Sequence, residues 1–341
     1  MSKPAKYRQN LPQLSQQLFI TDGGLETTLV FREGIDLPGF AAFTLLQQAK
    51  GWQVLRKYFE TYIDLAIANQ VGMILETVTW RANPDWATQL GYSQEALEQG
   101  NHQAIAILQQ LRQKYETEQS PMVISGCIGP RGDGYSPEQK MSIEQARVYH
   151  QTQMHSLVEA GADCITAMTI NYTEEAIGMV QAAQAEGIPI VISFTVETDG
   201  KLPTGQSLKD AILQVDAETQ QGPIYYMLNC AHPNHFADVL TFGEAWTKRI
   251  QGIRANASRK SHAELDESET LDDGNPKELG QEYRQLLAKL PHLNILGGCC
   301  GTDHRHVKAI CQACLPVFWA SASGQLGIGL LEEQVIQTYA I

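Results

Sequence analysis

LNILGGCCGT, residues 293–302, is the stretch whose reading decides the fold. It opens as a short apolar run without polar alternation, the pattern of a strand buried on both faces. It then passes directly into glycines and two adjacent cysteines, so chemistry is placed where the strand ends. Seven more runs of this kind precede it: LFITD (18–22), VGMILET (71–77), MVISG (122–126), DCITA (163–167), PIVISF (189–194), IYYMLN (224–229) and IQGIRAN (250–256). The segments between them carry helical signals. Leu55, Tyr58, Phe59, Tyr62, Leu65 and Ala66 fall on one stripe. Ser142 to Gln145 is a capping box, Thr173 before Glu174 and Glu175 predicts an N-cap, and Asn275-Pro276 predicts a cap followed by proline at the first helical position. Eight strands alternating with helices predict an α/β chain folded as a (β/α)8 TIM barrel, in preference to an open doubly wound sheet. No G-x-G-x-x-G follows the first run, which weakens the dinucleotide-binding alternative further.

The expected organisation is a single domain over residues 1–341 with its core at about 18–315. Two stretches interrupt the alternation. Residues 257–275 are polar and acidic and read as a long insertion after strand seven. The tail 316–341 is mixed, with a final helix expected near 330–339.

Composition bounds the function. Hydrophobic residues are 43% of the chain and charged residues 18%, enough for a large core. The net charge of −13, with lysine and arginine scattered, argues against nucleic acid as a partner. No apolar run reaches membrane-spanning length, so no membrane association is expected. The polar N-terminus lacks the apolar region of a signal peptide, and seven cysteines, two of them adjacent, read as thiols or metal ligands rather than disulfides. A cytoplasmic location is therefore expected, and a homo-oligomer is compatible with the sequence. The glycosylation matches at Asn171 and Asn256 are then chance.

In a barrel, function sits at the C-terminal ends of the strands. In chain order those ends carry Asp22-Gly23-Gly24, Glu76-Thr77, Cys127, Met168-Thr169, Thr195, Asn229-Cys230, Asn256 and Gly297 to Gly301. Cys230, Cys299 and Cys300 thus face one mouth. Zinc favours tetrahedral sulfur and nitrogen ligands, and a catalytic site leaves one position open. Three thiolates around zinc would turn a small thiol into a nucleophilic thiolate, suited to a cationic methyl donor. Cys164 reads as core, Cys127 as core or pocket lining, and Cys311 and Cys314 as core with a redox pair as the alternative. His232, His235, His304 and His306 offer a competing ligand set, which would make the protein a zinc hydrolase with a mixed Cys/His site. A third reading is a non-catalytic zinc-binding partner subunit. Asp22 reads as a ligand-approach site or a turn former, and buried Glu76 needs a partner or a function. Trp80, Trp86 and Tyr172 read as core or pocket wall.

TDGGLETTL (21–29), Asn229-Cys230 and GGCCGT (297–302) resemble the homocysteine S-methyltransferase family over about Phe19 to Ala313. SGCIGP (125–130), Ser193 to Thr195, and Asn256 with Ser258 add to the resemblance. It implies a zinc-dependent barrel with Cys230, Cys299 and Cys300 as ligands, and Asp22 and Gly23 against the amino-acid part of a thiol. The reaction implied is in-line methyl transfer from an onium-type donor to homocysteine, giving methionine. The substrate positions expected are Asp22, Gly23, Glu76, Thr77 and Asn256. One departure stands out: strand four of the family commonly ends in Glu-Thr, its acid holding the substrate amino group, whereas this chain has Met168 before Thr169. Glu76 is then expected to take over the amino group. The given sequence ends soon after strand eight, which favours a free onium donor over a corrinoid protein.

Overall fold

Every strand residue except Gln251 is buried, which is why the runs read as continuously apolar. The computed structural model describes residues 5–137 and 139–322. The strands are β1 (Phe19–Ile20), β2 (Gly72–Glu76), β3 (Met122–Ile128), β4 (Cys164–Ile170), β5 (Ile190–Phe194), β6 (Tyr226–Asn229), β7 (Ile250–Ala255) and β8 (Ile295–Gly298). All pair in parallel, in sequence order, and β1 closes on β8 through Phe19 opposite Ile295. The result is the expected (β/α)8 barrel. No helix among the described residues is long and apolar enough to cross a membrane.

Two apolar layers form because successive strand residues point to opposite faces. Phe19, Ile74, Val123, Cys164, Val191, Met227 and Ile295 share the smaller cluster, which fills the barrel interior. The opposite parity packs against the helices. Cys164 is core, as read from the sequence. The N-terminal face is plugged. Asn294 donates to the Gln13, Ser15 and Gln17 carbonyls, and Asp163 pairs with Arg112 at 2.5 Å while accepting from the Tyr7 and Ile124 amides. The C-terminal face carries the cavity into which the strand ends open.

The helix Ala49–Asn69 buries Leu55, Tyr58, Phe59, Tyr62 and Ala66, and brings the two tyrosines to the end of β1. The Ser142–Gln145 capping box is present, and Asn275 accepts from the Lys277 and Glu278 amides. The Thr173 cap is not: Tyr172 occupies the cap position without a side-chain bond, because the Thr173 hydroxyl is directed to Gln206 and Gln214. Strand four runs past the expected end at 167 and includes Met168 and Thr169, with a register shift between Ala167 and Ile170. Cys127 lies inside β3 rather than after it. The 257–275 segment carries a short helix, His262–Asp266, started by a Ser261–Glu264 capping box. Cys311 and Cys314 are buried, unpaired thiols on the helix His304–Ala322. The final helix expected near 330–339 lies outside the described residues.

Candidate metal and thiol site

Cys230 follows β6 directly, and Cys299 and Cys300 follow β8. Their sulfurs lie within 4.8 Å of one another, with Cys230 Sγ and Cys300 Sγ 3.6 Å apart, and none is in a disulfide. The backbone is built to converge them. Cys230 sits at φ +54, a left-handed conformation unfavourable for a side chain bearing Cβ. It is held there from both sides: its amide donates to the Arg254 carbonyl at 3.1 Å, and its own carbonyl accepts from Asn256 Nδ2 at 3.0 Å and His262 Nε2 at 2.5 Å. After β8 the chain turns sharply at Gly301, φ +78, with Thr302 closing onto the Cys299 carbonyl and Ala257 donating to that of Cys300.

Three thiols this close share protons. Hydrogen bonds from Cys299 and Cys300 hold Cys230 well below the ordinary thiol range, and the same contact with Cys230 pushes Cys299 up to about 12 and Cys300 up as well. The set releases one proton readily and resists full ionisation unless a cation joins it. Three converging sulfur donors on rigid strand ends fit a thiophilic metal ion. Asn229 orients the group: its Nδ2 reaches Cys299 Sγ at 3.9 Å, while its Oδ1 is fixed by Thr169 N and Ser193 Oγ.

The sulfurs open on a cavity of about 360 Å³. Its floor is a charge cluster at the ends of β1, β2 and β7. Asp22 accepts from Tyr58 Oη at 3.0 Å and from Arg254 Nη2 at 2.6 Å. Burial raises its pKa and Arg254 opposes that rise. Burial also pushes Glu76 up to about 7, with the guanidinium of Arg254 acting in the opposite direction. Its Oε2 is buried without a hydrogen-bond partner. Gly23 lies between Tyr62 Oη and the Thr302 carbonyl, where an added Cβ would meet them at 2.8 and 2.9 Å. Thr77 lines the cavity, but its hydroxyl already accepts from Cys127 N and meets Thr79 Oγ1. Asn256 lines it too and has a buried, partnerless Oδ1 beside the Nδ2 that holds Cys230. Cys127, Met168 and Trp80 form wall, as does Glu26, whose carboxyl burial pushes up to about 7. Tyr172 is core, with its hydroxyl on Met141 N.

The structure thus brings Asp22, Gly23, Glu76, Thr77, Asn256 and the three cysteines around one cavity. It does not bring the competing histidines there. His232 caps a helix turn and faces Glu282, His235 faces the Arg259 carbonyl, His306 pairs with Asp303, and His304 is exposed. Of the four only His232 is an N-cap, and among the described residues the sulfur cluster contains no imidazole. That removes the mixed Cys/His site on which the hydrolase reading stood. Among the cavity residues that escaped sequence reading, Arg254, Tyr135 and His262 stand nearest the chemistry. Arg254 was visible as the only charge within the run 250–256. Tyr135 and His262, whose rings stack 4.0 Å apart, gave no local signal. The Tyr135 side chain lies against Cys230 and helps to lower its pKa.

Residues 19–314 match the family model described as homocysteine S-methyltransferase. Homocysteine S-methyltransferase 4 of Zea mays is 23% identical over 317 residues, spanning 86% of this chain and 88% of the maize protein. Homocysteine S-methyltransferase of Escherichia coli K12 is 25% identical over 245 residues, 66% of this chain and 76% of that one. Among solved structures, the metallated form of the Escherichia coli homocysteine methyltransferase MmuM superposes with a TM-score of 0.70 at 17% identity. It covers 90% of this chain and 99% of its own.

Proposed function

We propose that this chain, which belongs to the homocysteine S-methyltransferase family, moves a methyl group from an onium-type donor to the thiol of homocysteine at a zinc site formed by Cys230, Cys299 and Cys300. The observation that carries the reading is the meeting of three free sulfurs within 4.8 Å on a cavity whose floor holds a partnerless carboxylate oxygen. Bound by these residues, zinc would keep a substrate thiol ionised at neutral pH. The remaining work falls to the chain. Glu76 Oε2 takes the acceptor's ammonium, in place of the acid missing at Met168. Asp22 and Gly23 bound the amino-acid part, and Asn256 holds Cys230 in place while offering Oδ1 to the cavity. Thr77 lines the floor by fixing the end of β3. Phe31, Phe40 and Trp80 line the walls and supply aromatic surface suited to a cationic donor. The new sulfur–carbon bond forms as the donor–methyl bond breaks, the bonding pair leaving with the donor. Alignment of the two reactants supplies most of the acceleration.

The donor class is S-methylmethionine, S-adenosylmethionine or a betaine-like compound. The test is metal analysis of the purified protein, followed by methionine formation from homocysteine with each donor. One zinc per chain and turnover with at least one donor are expected. Cys300→Ser should lose both metal and turnover. Bound zinc with no turnover across the panel would overturn the reading and favour the non-catalytic subunit.

A further inference from the structure

Arg254 is the only charged residue of β7 and is buried, and its hydrogen bonds leave part of it unused. A guanidinium has five N–H donors in a fixed fork. Nε donates to the Gly298 carbonyl at 3.1 Å, and Nη2 donates to Asp22 Oδ1 at 2.6 Å and to the Gly23 carbonyl at 3.5 Å. The two donors on Nη1 have no hydrogen bond among the described residues. Glu76 Oε1 stands 3.9 Å away, too far for one. Glu76 Oε2 is buried and equally without a partner. Both side chains are over nine-tenths buried and both line the cavity. A cation and an anion that lie side by side, each with an unused hydrogen-bonding atom, match a ligand carrying the opposite pair of charges on one carbon.

We propose that Arg254 reads the carboxylate of the acceptor while Glu76 reads its ammonium, so that the pair selects α-amino-acid thiols. The proposal rests on the methyl-transfer reading for the acceptor's thiol. It adds to that reading one specificity-determining residue, Arg254. Asp22 neutralises one face of the guanidinium and points the other at the cavity. The register explains the placement: Arg254 lies opposite Asn229 on β6 and Gly297 on β8, between the two strands that end in the cysteines. A zwitterion adds no net charge to this floor. A thiol lacking the carboxylate leaves Nη1 dry and unsatisfied, and one lacking the ammonium leaves Glu76 so.

The test is calorimetric binding of three thiols to the zinc-loaded protein: homocysteine, 3-aminopropane-1-thiol without the carboxylate, and 4-sulfanylbutanoate without the amino group. Wild type should favour homocysteine over the aminothiol by roughly 10- to 100-fold, the worth of one charge-assisted hydrogen bond. In Arg254→Met this preference should collapse to within about threefold, while the preference over 4-sulfanylbutanoate persists; Glu76→Gln should show the reverse pattern. Arg254→Lys, which keeps a cation and loses the fork, carries the comparison if the methionine variant does not fold. Equal weakening of all three thiols in the Arg254 variants, or no discrimination by wild type, would overturn the proposal. Failure of methyl transfer alone strikes the catalytic reading and leaves this binding result to stand or fall separately.

Discussion

Replacing Glu76 by glutamine should make the protein more stable and its acceptor binding worse, and the structure sets both magnitudes. Burial pushes this carboxyl from its usual 4.5 up to about 7, Arg254 limiting the rise. In the unfolded chain the group titrates at its usual value. Between those two pH values the folded protein therefore holds the proton more tightly than the unfolded chain does. Stability associated with the neutral acid is complete below about pH 4.5 and is lost as the pH rises through about 7. At about 1.4 kcal/mol for each pH unit, the ionised group costs the fold about 3 kcal/mol at pH 8. Glutamine keeps the shape and cannot ionise, so Glu76→Gln should exceed wild type by about that amount at pH 8 and match it near pH 4.5. Urea denaturation at the two pH values measures the difference. Homocysteine binding should change in the opposite sense, weakening by roughly 10- to 100-fold with loss of the charged acceptor. The ratio of wild-type to variant affinity should also shrink as the pH falls below about 7, since the wild-type acid must then release a proton to receive the ammonium. The thiol's own ionisation is common to both proteins and cancels in that ratio. Equal denaturation midpoints at pH 8, or a ratio flat from about pH 5.5 to 8, would refute the reasoning.

Two further outcomes follow from the frame around the site. Asp163→Asn at the plugged end breaks a buried pair with Arg112 and weakens bonds to the Tyr7 and Ile124 amides. It should lower the unfolding free energy by about 3–5 kcal/mol, and a loss under about 1 kcal/mol in urea would show that the pair relaxes at little cost. Gly24→Ala puts a Cβ against Thr27 Oγ1 and 2.6 Å from the Cys299 carbonyl. That should displace Cys299 and weaken zinc binding at least tenfold in a competition titration with a chromophoric chelator, whereas unchanged affinity would mean the cysteine turn gives way freely.

How far these features could be read in advance depends on the distance over which each is decided. A barrel strand buried on both faces needs an unbroken apolar run, so all eight strands were visible one at a time, as was the Asn275 cap, set within three residues. The Thr173 cap failed because its hydroxyl is claimed by Gln206 and Gln214, more than thirty residues away. Strand ends placed the three cysteines at one mouth, because in a parallel barrel position along the strand is already position in space. Arg254 could be seen as an anomaly in its run, but its meaning comes from Asp22, which lies 232 residues earlier in the chain. The same distinction governs Met168. Its position revealed that a carboxylate was absent from the end of β4. That Glu76 and Arg254 stand together could not be read the same way, because it depends on β2 and β7 reaching the same floor, where the two side chains lie 3.9 Å apart without a hydrogen bond between them. The convergence of the three sulfurs was therefore legible from strand ends taken singly, whereas the pairing of Glu76 with Arg254 is a property of the gap between two of them.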